Sequence, residues 1–344
     1  MSGSSLDGLD LCLCRFEQDN KGWHYTIIAA DTPAYPEDIK AQLASAQQMS
    51  ALELVRFHSK YGNYIGEQAK QFIAQQAIKP VLIASHGHTI FHQPKEGFTF
   101  QIGSGAHIAI AAGVDTICDF RTSDVAAGGQ GAPLVPIGDR HLFGQYGYCL
   151  NLGGFANISY EKEGQRVAYD ICPVNYVLNH YTRAIGKEYD NKGELAAKGT
   201  VHPGLLETLN RLDFYRQQGP KSLGREWVEQ CVFPLIESYD LSLEDNLSTF
   251  CEHAALQIGS ELSAGSKKML VSGGGAYNTY LMSRIEAHSA AAIHIPDALT
   301  INFKEALIFA FLGCLYMENQ PNCLASVTGA ARDVVGGARY VSCR

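Results

Sequence analysis

Three glycine-rich turns that adjoin apolar segments constrain the fold of this chain more than any other feature. They lie at residues 2–10 (SGSSLDGLD), 150–159 (LNLGGFANIS) and 271–278 (VSGGGAYN). Glycine lets the backbone approach a phosphate closely and leaves N–H groups free to bind it. A single turn of this kind is common between strands. Three of them, spread over both halves of the chain, favour a nucleotide-binding α/β fold.

The order of the other segments supports two α/β halves. Short apolar runs at residues 81–85 (VLIAS) and 268–272 (KMLVS) are typical of strands buried in a parallel sheet. The Gly- and Pro-rich residues 126–136 predict a loop between the halves. Strands are predicted to open each half and helices to follow. In the second half, the predicted strands are residues 148–152, 157–161, 167–170, 268–272 and 293–295, and a long helix is predicted at 302–317.

The composition argues against several classes of function. The 344 residues carry a formal net charge of −8, which disfavours nucleic acid and membrane surfaces as partners, because both need a basic face. Ten cysteines are scattered without a CxxC pair, as expected for buried thiols in a reducing compartment. The sequence does not open with a signal segment, and the apolar residues 306–317 are too few to span a bilayer. We therefore expect a cytoplasmic protein.

Asp170 stands at the end of a predicted strand. A carboxylate at the C-terminal end of a strand lies where open α/β sheets bind ligands, and it could act as a general base. The alternative is a helix N-cap, since Pro173 suits a first helical turn nearby. The residues alone leave both interpretations open.

Two polar clusters are candidate substrate sites. In an extended segment His86 and His88 would share one face, with His92 nearby, which could form a metal site or line a polar substrate pocket. No carboxylate or Cys lies at typical ligand spacing, so the pocket is favoured. Arg121 near Asp124 could bind an acidic sugar substituent through two hydrogen bonds, or the two residues could form a structural ion pair.

Taken in order, the motifs resemble the anhydro-N-acetylmuramic acid kinase family over nearly the whole chain. The segments that carry the resemblance are MSGSSLDGLD, SHGHTIFHQP, FQIGSGAHIA, DFRTSDVAAGGQGAPLVP, LNLGGFANIS, YDICPVN, YDNKGELAAKG, PKSLGRE, VSGGGAYNTYLM and LASVTGA. The resemblance implies an α/β, two-lobed, actin/hexokinase-like (ribonuclease H-like) duplicated fold, with ATP and sugar in the interdomain cleft. It implies an N-terminal lobe of residues 1–138 plus about 328–344, and a C-terminal lobe of residues 139–327.

The same resemblance implies an ATP- and Mg²⁺-dependent kinase. It would open the anhydro bridge of 1,6-anhydro-N-acetylmuramic acid with water and phosphorylate O6, giving N-acetylmuramic acid 6-phosphate in peptidoglycan recycling. Asp170 would be the catalytic base, Asp7 would hold Mg²⁺ through water, and a homodimer is a candidate assembly. The implied ATP contacts are Gly3, Ser4, Ser5, Leu6, Asp7, Gly8, Leu9, Asp10, Gly153, Gly154, Gly273, Gly274 and Gly275. The implied sugar contacts are His86, His88, Arg121, Asp124 and Asn175.

The sequence departs from the family pattern at several positions. Family members carry a few residues ahead of the MSG segment that complete the first strand, so we expect this strand to be incomplete here. Residues 171–174 (ICPV) replace a TGPG segment, which leads us to expect Cys172 to line the site. Three alternatives remain open: another actin-like sugar kinase, a non-catalytic nucleotide- or sugar-binding relative, and a metallohydrolase that uses the three histidines.

Overall fold

The computed structural model describes residues 1–3, 6–217, 219–262 and 267–342. The chain forms two compact units, which we call unit 1 (Met1–Leu142 and Phe303–Arg344) and unit 2 (Phe143–Asn302). The sequence analysis placed these divisions at 138/139 and near 327/328. The second division differs because most of a long helix is grouped with unit 1.

The regular elements form runs of strands separated by helices along the chain. The strands are β1 (Leu11–Asp19), β2 (Gly22–Asp31), β3 (Ile83–Ala84), β4 (His88–Gln93), β5 (Phe98–Ile102), β6 (Thr116–Cys118), β7 (Tyr148–Leu152), β8 (Phe155–Lys162), β9 (Gln165–Pro173), β10 (Lys268–Ser272), β11 (Ala292–His294) and β12 (Ala338–Tyr340). The helices are α1 (Glu37–Ser45), α2 (Ala51–Ala74), α3 (Gly105–Ala112), α4 (Thr122–Ala126), α5 (Val135–Leu142), α6 (Asn175–Arg183), α7 (Pro203–Asn210), α8 (Arg225–Trp227), α9 (Phe233–Glu237), α10 (Leu243–Ser260), α11 (Thr279–His288), α12 (Ala298–Met317) and α13 (Ala325–Thr328).

Unit 1 combines small sheets with a tightly packed pair of helices. β6 pairs in parallel with β3 and antiparallel with β12, while β1–β2 and β4–β5 are antiparallel hairpins. α2 begins at a capping box formed by Ser50 and Glu53, which satisfies two backbone N–H groups. A Cβ added at Gly62 would lie 2.7 Å from the Ser104 carbonyl oxygen, and Gly66 faces the same helix one turn later. These glycines let α2 and α3 approach closely.

Unit 2 contains a five-stranded sheet in the order β11-β10-β7-β8-β9. β10 runs parallel to β7 and β11, whereas β8 is antiparallel to both of its neighbours. This order and these directions are those of a ribonuclease H-like sheet, so the predicted α/β class is confirmed and the predicted sheet type is found in this unit. α10 begins at Ser242, whose side chain accepts the Asp245 N–H, and packs against the sheet with Phe250 and Ile258 buried.

Helix α12 is longer than the sequence analysis predicted. It begins at Ala298 rather than at residue 302, which makes it 20 residues long. In the described part of the chain it is the helix that is long and apolar enough to cross a membrane. However, 61% of its apolar window is buried inside the protein, and core helices of soluble proteins meet the same criterion.

Candidate functional site

The predicted site residues of unit 2 gather at one edge of its sheet. β7 and β10 are parallel, and β9 has the same direction, so all three strands end at this edge. The turn at Gly153–Gly154 follows β7, and the turn at Gly273–Gly275 follows β10. Asn175 opens α6 just after β9, and its Nδ2 donates to the Leu152 carbonyl oxygen at 3.2 Å. This is the edge at which open α/β sheets bind ligands.

Two of these glycines are required by the packing of the protein itself. Gly273 has φ of +83°, and a Cβ added to it would lie 2.8 Å from the Leu152 carbonyl oxygen. A Cβ at Gly275 would lie 2.7 Å from the Leu152 side chain. Both positions therefore allow the turn after β10 to lie directly against the end of β7.

The other three glycines have room for a side-chain atom. A Cβ at Gly274 would meet no described atom closer than 3.9 Å, and the corresponding distances are 3.4 Å at Gly153 and 3.8 Å at Gly154. Packing of the protein does not require glycine at these positions. They leave an open backbone surface on which a ligand can lie.

Asp170 is oriented by a β-bulge. Asn157 pairs with Asp170 and Ala156 pairs with Cys172, so Ile171 is an extra residue without a partner. Bulges are common beside active sites because they redirect a side chain. Here the bulge places Asp170 and Cys172 on opposite faces of the sheet. Cys172 is fully buried, so the expectation that it lines the site is wrong.

The Asp170 carboxylate is half-buried and is held by a neighbouring segment. Its Oδ2 accepts the Leu223 N–H at 2.9 Å and the Ser222 hydroxyl at 3.4 Å. Burial raises the pKa of Asp170, and these two hydrogen bonds oppose part of the rise. The helix-cap interpretation is wrong, because α6 has Val174 at its N-cap and no side-chain cap.

In unit 1, the predicted phosphate loop runs from Gly3 to Asp10, and Ser4 and Ser5 lie outside the described residues. Leu9 is buried and its N–H donates to the Pro33 carbonyl oxygen at 3.0 Å. A Cβ at Gly8 would lie 2.7 Å from the same oxygen. The Asp7 side chain is exposed, and Asp10 Oδ1 accepts the Thr32 hydroxyl at 2.8 Å.

The half-buried Arg121 is hydrogen-bonded to the buried His86. His86 Nδ1 lies 3.0 Å from the Gly87 carbonyl oxygen and must donate to it, which leaves Nε2 as an acceptor. Arg121 donates to this nitrogen from Nε at 3.1 Å and from Nη2 at 3.0 Å, and its Nη1 donates to the Gly131 carbonyl oxygen at 2.6 Å. Burial, and secondly the Arg121 charge, lower the pKa of His86 well below its usual value. His86 is therefore neutral.

The three histidines do not converge on one point. His88 Nδ1 lies 2.9 Å from the Ser2 hydroxyl, and His92 Nδ1 lies 3.1 Å from the Thr99 hydroxyl. Gly87 has φ of +68°, which breaks the extended segment that would place His86 and His88 on one face. Among residues 1–3, 6–217, 219–262 and 267–342, no three His, Cys, Asp or Glu side chains form a metal-binding group. The metallohydrolase interpretation has no support in this geometry.

Asp124 supports a loop instead of facing a ligand. Its side chain is 0% exposed. Oδ1 accepts the Thr328 hydroxyl and Oδ2 accepts the Gly131 N–H, each at 2.7 Å. This position leaves no surface for a sugar, so the structure gives Asp124 a structural role and not the predicted substrate contact.

Glu305 on α12 is a candidate that the sequence analysis missed. Its side chain is accessible to solvent, yet dense surrounding protein raises its pKa, while the Arg121 charge opposes that rise. The neighbouring Lys304 forms a buried ion pair with Asp139 at 2.7 Å. Adjacent charged residues inside an otherwise apolar helix were the signal that could have identified Glu305.

Comparison with known proteins relates the chain to one family. The sequence matches the family described as anhydro-N-acetylmuramic acid kinase over residues 1–342. Proteins of that name from Pseudomonas paraeruginosa PA7 and Pseudomonas putida KT2440 are 36% and 35% identical, over 99% of this chain and 97% and 98% of their own lengths. One from Crocosphaera subtropica is 34% identical over 96% of this chain and 94% of its own. An activator of 2-hydroxyisocaproyl-CoA dehydratase from Clostridium difficile, solved with bound ADPNP, covers 54% of this chain and 67% of its own. Its identity is 15% and its TM-score 0.33, which is too low to carry an argument.

Proposed function

Because the chain belongs to the anhydro-N-acetylmuramic acid kinase family, we propose that it phosphorylates 1,6-anhydro-N-acetylmuramic acid with ATP. The product is N-acetylmuramic acid 6-phosphate, in peptidoglycan recycling. The observation that carries the proposal is the Asp170 carboxylate at the ligand-binding edge of unit 2. Both hydrogen bonds described for it go to Oδ2, which leaves Oδ1 for a substrate proton.

In the proposed reaction Asp170 acts as the general base. It removes a proton from the water that attacks the anomeric carbon, and the bond from that carbon to the bridging oxygen breaks. The freed O6 then takes the γ-phosphoryl group, and ADP leaves. Partial burial supports this role, because a raised carboxylate pKa makes a stronger base near neutral pH.

The open glycine surface fits a nucleotide. Gly153, Gly154 and Gly274 offer backbone without side chains, while Gly273 and Gly275 hold the turn in place. In unit 1 the loop from Gly3 to Asp10 carries the exposed carboxylate of Asp7. This carboxylate is a suitable ligand for Mg²⁺ through water. Bound Mg²⁺ would neutralise charge on the phosphates. The proposed ATP contacts are the residues named above for the family, with Ser4 and Ser5 among them, except Leu9, whose side chain is buried and whose N–H is bonded to Pro33.

Arg121, His88 and Asn175 are the proposed sugar contacts, whereas both ring nitrogens of the buried His86 are used by Gly87 and Arg121. Arg121 has five N–H groups, and three of them are used by His86 and Gly131. One N–H on each Nη nitrogen remains. This pair suits the lactyl carboxylate, which distinguishes a muramic acid from other amino sugars.

We further propose that the protein is cytoplasmic and that it forms a homodimer. Size-exclusion chromatography with light scattering would test the dimer.

The test is product formation in ¹⁸O-water. The protein is incubated with ATP, Mg²⁺ and 1,6-anhydro-N-acetylmuramic acid, and the sugar phosphate is analysed by mass spectrometry. We expect one ¹⁸O atom at the anomeric hydroxyl and none in the phosphate ester. Asp170→Asn should lower kcat by about 10²-fold or more. Turnover of other amino sugars but not of this one would contradict the substrate assignment.

A further inference from the structure

The segment at residues 220–224 (PKSLG) lies along the edge of β9, next to Asp170. The Lys221 carbonyl oxygen accepts the Asp170 N–H at 3.0 Å, which pairs this segment with the otherwise unpaired edge of the strand. The next two residues, Ser222 and Leu223, donate to Asp170 Oδ2. One short segment therefore holds both the backbone and the carboxylate of the proposed base.

The Lys221 side chain anchors this segment. Only 6% of the side chain is exposed. Nζ donates to the Gln217 carbonyl oxygen at 3.3 Å and to the Phe214 carbonyl oxygen at 3.5 Å, and it lies 4.7 Å from the centre of the Phe214 ring. A lysine buried this deeply needs such partners, because removing an unpaired ammonium from water is costly.

Glu261 connects the anchor back to β9. One carboxylate oxygen of Glu261 lies 3.8 Å from Lys221 Nζ, and the other accepts the Tyr169 hydroxyl at 2.6 Å. Tyr169 immediately precedes Asp170 in the strand. The segment and the strand are thus joined on both sides of the base: through Ser222 and Leu223 on one side, and through the Lys221–Glu261–Tyr169 contacts on the other.

We propose that Lys221 and Ser222 are positioning residues, which hold Asp170 Oδ2 so that Oδ1 is presented to the reacting water. This inference rests on the proposed function of Asp170 as the base. It adds a role for the PKSLG segment in that site. A base held by one oxygen keeps its orientation without losing its free lone pairs.

The same contacts set the protonation of Asp170. Among the described residues of unit 2, the titratable groups Lys221, Glu261, Tyr169 and Cys172 lie close by and interact with one another. Burial raises the pKa of the Asp170 carboxyl, and the hydrogen bonds from Leu223 and Ser222 lower it. Removing the Ser222 hydroxyl, or loosening the segment by removing the Lys221 ammonium, should therefore raise this pKa further.

The first experiment reads Asp170 directly and needs no turnover. The protein is labelled with ¹³C at aspartate carboxyl carbons, and the Asp170 resonance is assigned by its loss in Asp170→Asn. Its titration is then compared in the wild type, Ser222→Ala and Ser222→Thr. We expect the alanine variant to titrate at higher pH and the threonine variant to restore the wild-type value. Ser283→Ala, which removes an exposed hydroxyl bonded to a helix carbonyl, is the matched control.

The second experiment measures the pH profile of kcat/KM. In Ser222→Ala the acid limb should move to higher pH, and kcat should fall by about twofold to tenfold, because the hydroxyl contact is long at 3.4 Å. KM for ATP should stay within about twofold, since the change concerns the base only. Lys221→Met should act in the same direction. Lys60→Met, which breaks an exposed ion pair with Asp38, is its control for lost charge.

The outcomes separate this inference from the proposed function. Unchanged Asp170 titration in both Ser222→Ala and Lys221→Met would overturn the inference, even in an active kinase. A shifted titration would support it even if the wild type failed to phosphorylate the anhydro sugar, and that failure would sink the kinase assignment alone. If Lys221→Met unfolds, the Ser222 pair still decides the result.

Discussion

Gly273 and Gly274 are neighbours, yet replacing each by alanine should have opposite effects. At Gly273 the backbone has φ of +83°, and the new Cβ would lie 2.8 Å from the Leu152 carbonyl oxygen. Strain at a positive-φ position that glycine alone adopts readily costs about 1–3 kcal/mol, and the contact with a fixed carbonyl adds to it. Gly273→Ala should therefore lower the free energy of unfolding of unit 2 by at least about 2 kcal/mol.

At Gly274 the new methyl group would meet no described atom closer than 3.9 Å. Replacing glycine by alanine at a compatible backbone position stabilises a protein by about 0.5 kcal/mol, because the unfolded chain loses freedom. If a nucleotide lies on this glycine, the methyl group occupies part of its space. Overpacking of that kind costs about 1–3 kcal/mol, which corresponds to a loss of nucleotide affinity of about tenfold or more.

The two variants can be compared by urea unfolding and by isothermal titration calorimetry with a non-hydrolysable ATP analogue and Mg²⁺. We expect Gly274→Ala to unfold at the wild-type urea concentration or above it and to bind the nucleotide weakly. Wild-type affinity in Gly274→Ala would refute the argument that the open surface serves the nucleotide. Equal loss of stability in both variants would refute the distinction between packing and open glycines.

Three further predictions concern single side chains. Arg121→Ala should weaken sugar binding by about tenfold or more and leave ATP affinity nearly unchanged, because its remaining N–H pair is assigned to the substrate carboxylate; calorimetry with each ligand checks this. Asp124→Ala should lower the free energy of unfolding by about 2 kcal/mol, because the buried Gly131 N–H loses its acceptor and the Thr328 hydroxyl keeps only its 3.2 Å bond to the Leu324 carbonyl oxygen; a wild-type urea unfolding curve would contradict it. Burial lowers the pKa of His253 to about 3, below that of the unfolded chain, so unit 2 should lose stability as the pH falls from about 6.5 towards 3. Thermal melting should show a weaker pH dependence in His253→Gln.

The central strands of unit 2 could be predicted from the sequence with their bounds. Residues 148–152 and 268–272 were predicted, and β7 and β10 have those limits. Both strands are apolar on both faces because the sheet is covered on both sides. The same reasoning was wrong for residues 81–85. There β3 covers only Ile83–Ala84 at a sheet edge, and Val81 is 94% exposed.

The site was predictable where chemistry depends on residue type and not where it depends on a local backbone irregularity. Asp170 lies near the C-terminal end of its strand, as the sequence predicts, but the bulge at Ile171 that orients it has no signature in the residue pattern. The hairpin formed by β4 and β5 was not predicted. Gly87, just before it, changes the direction of the chain, which separated His86 from His88. Periodicity assumes a regular strand, and both irregularities violate that assumption.

The bulge at Ile171 also determines which kinds of mutation β9 tolerates. Ile171 has no partner in β8 and lies between two paired residues of β9. Any side chain that fits at this position therefore leaves the pairing on both sides unchanged. Deleting Ile171 would move either Asp170 or Cys172 to the opposite face, and either the buried thiol or the carboxylate proposed as the base would be misplaced. Because Ile171 is buried in the core, apolar substitutions of similar volume should persist among variants of the protein, whereas a change of length by one residue should not.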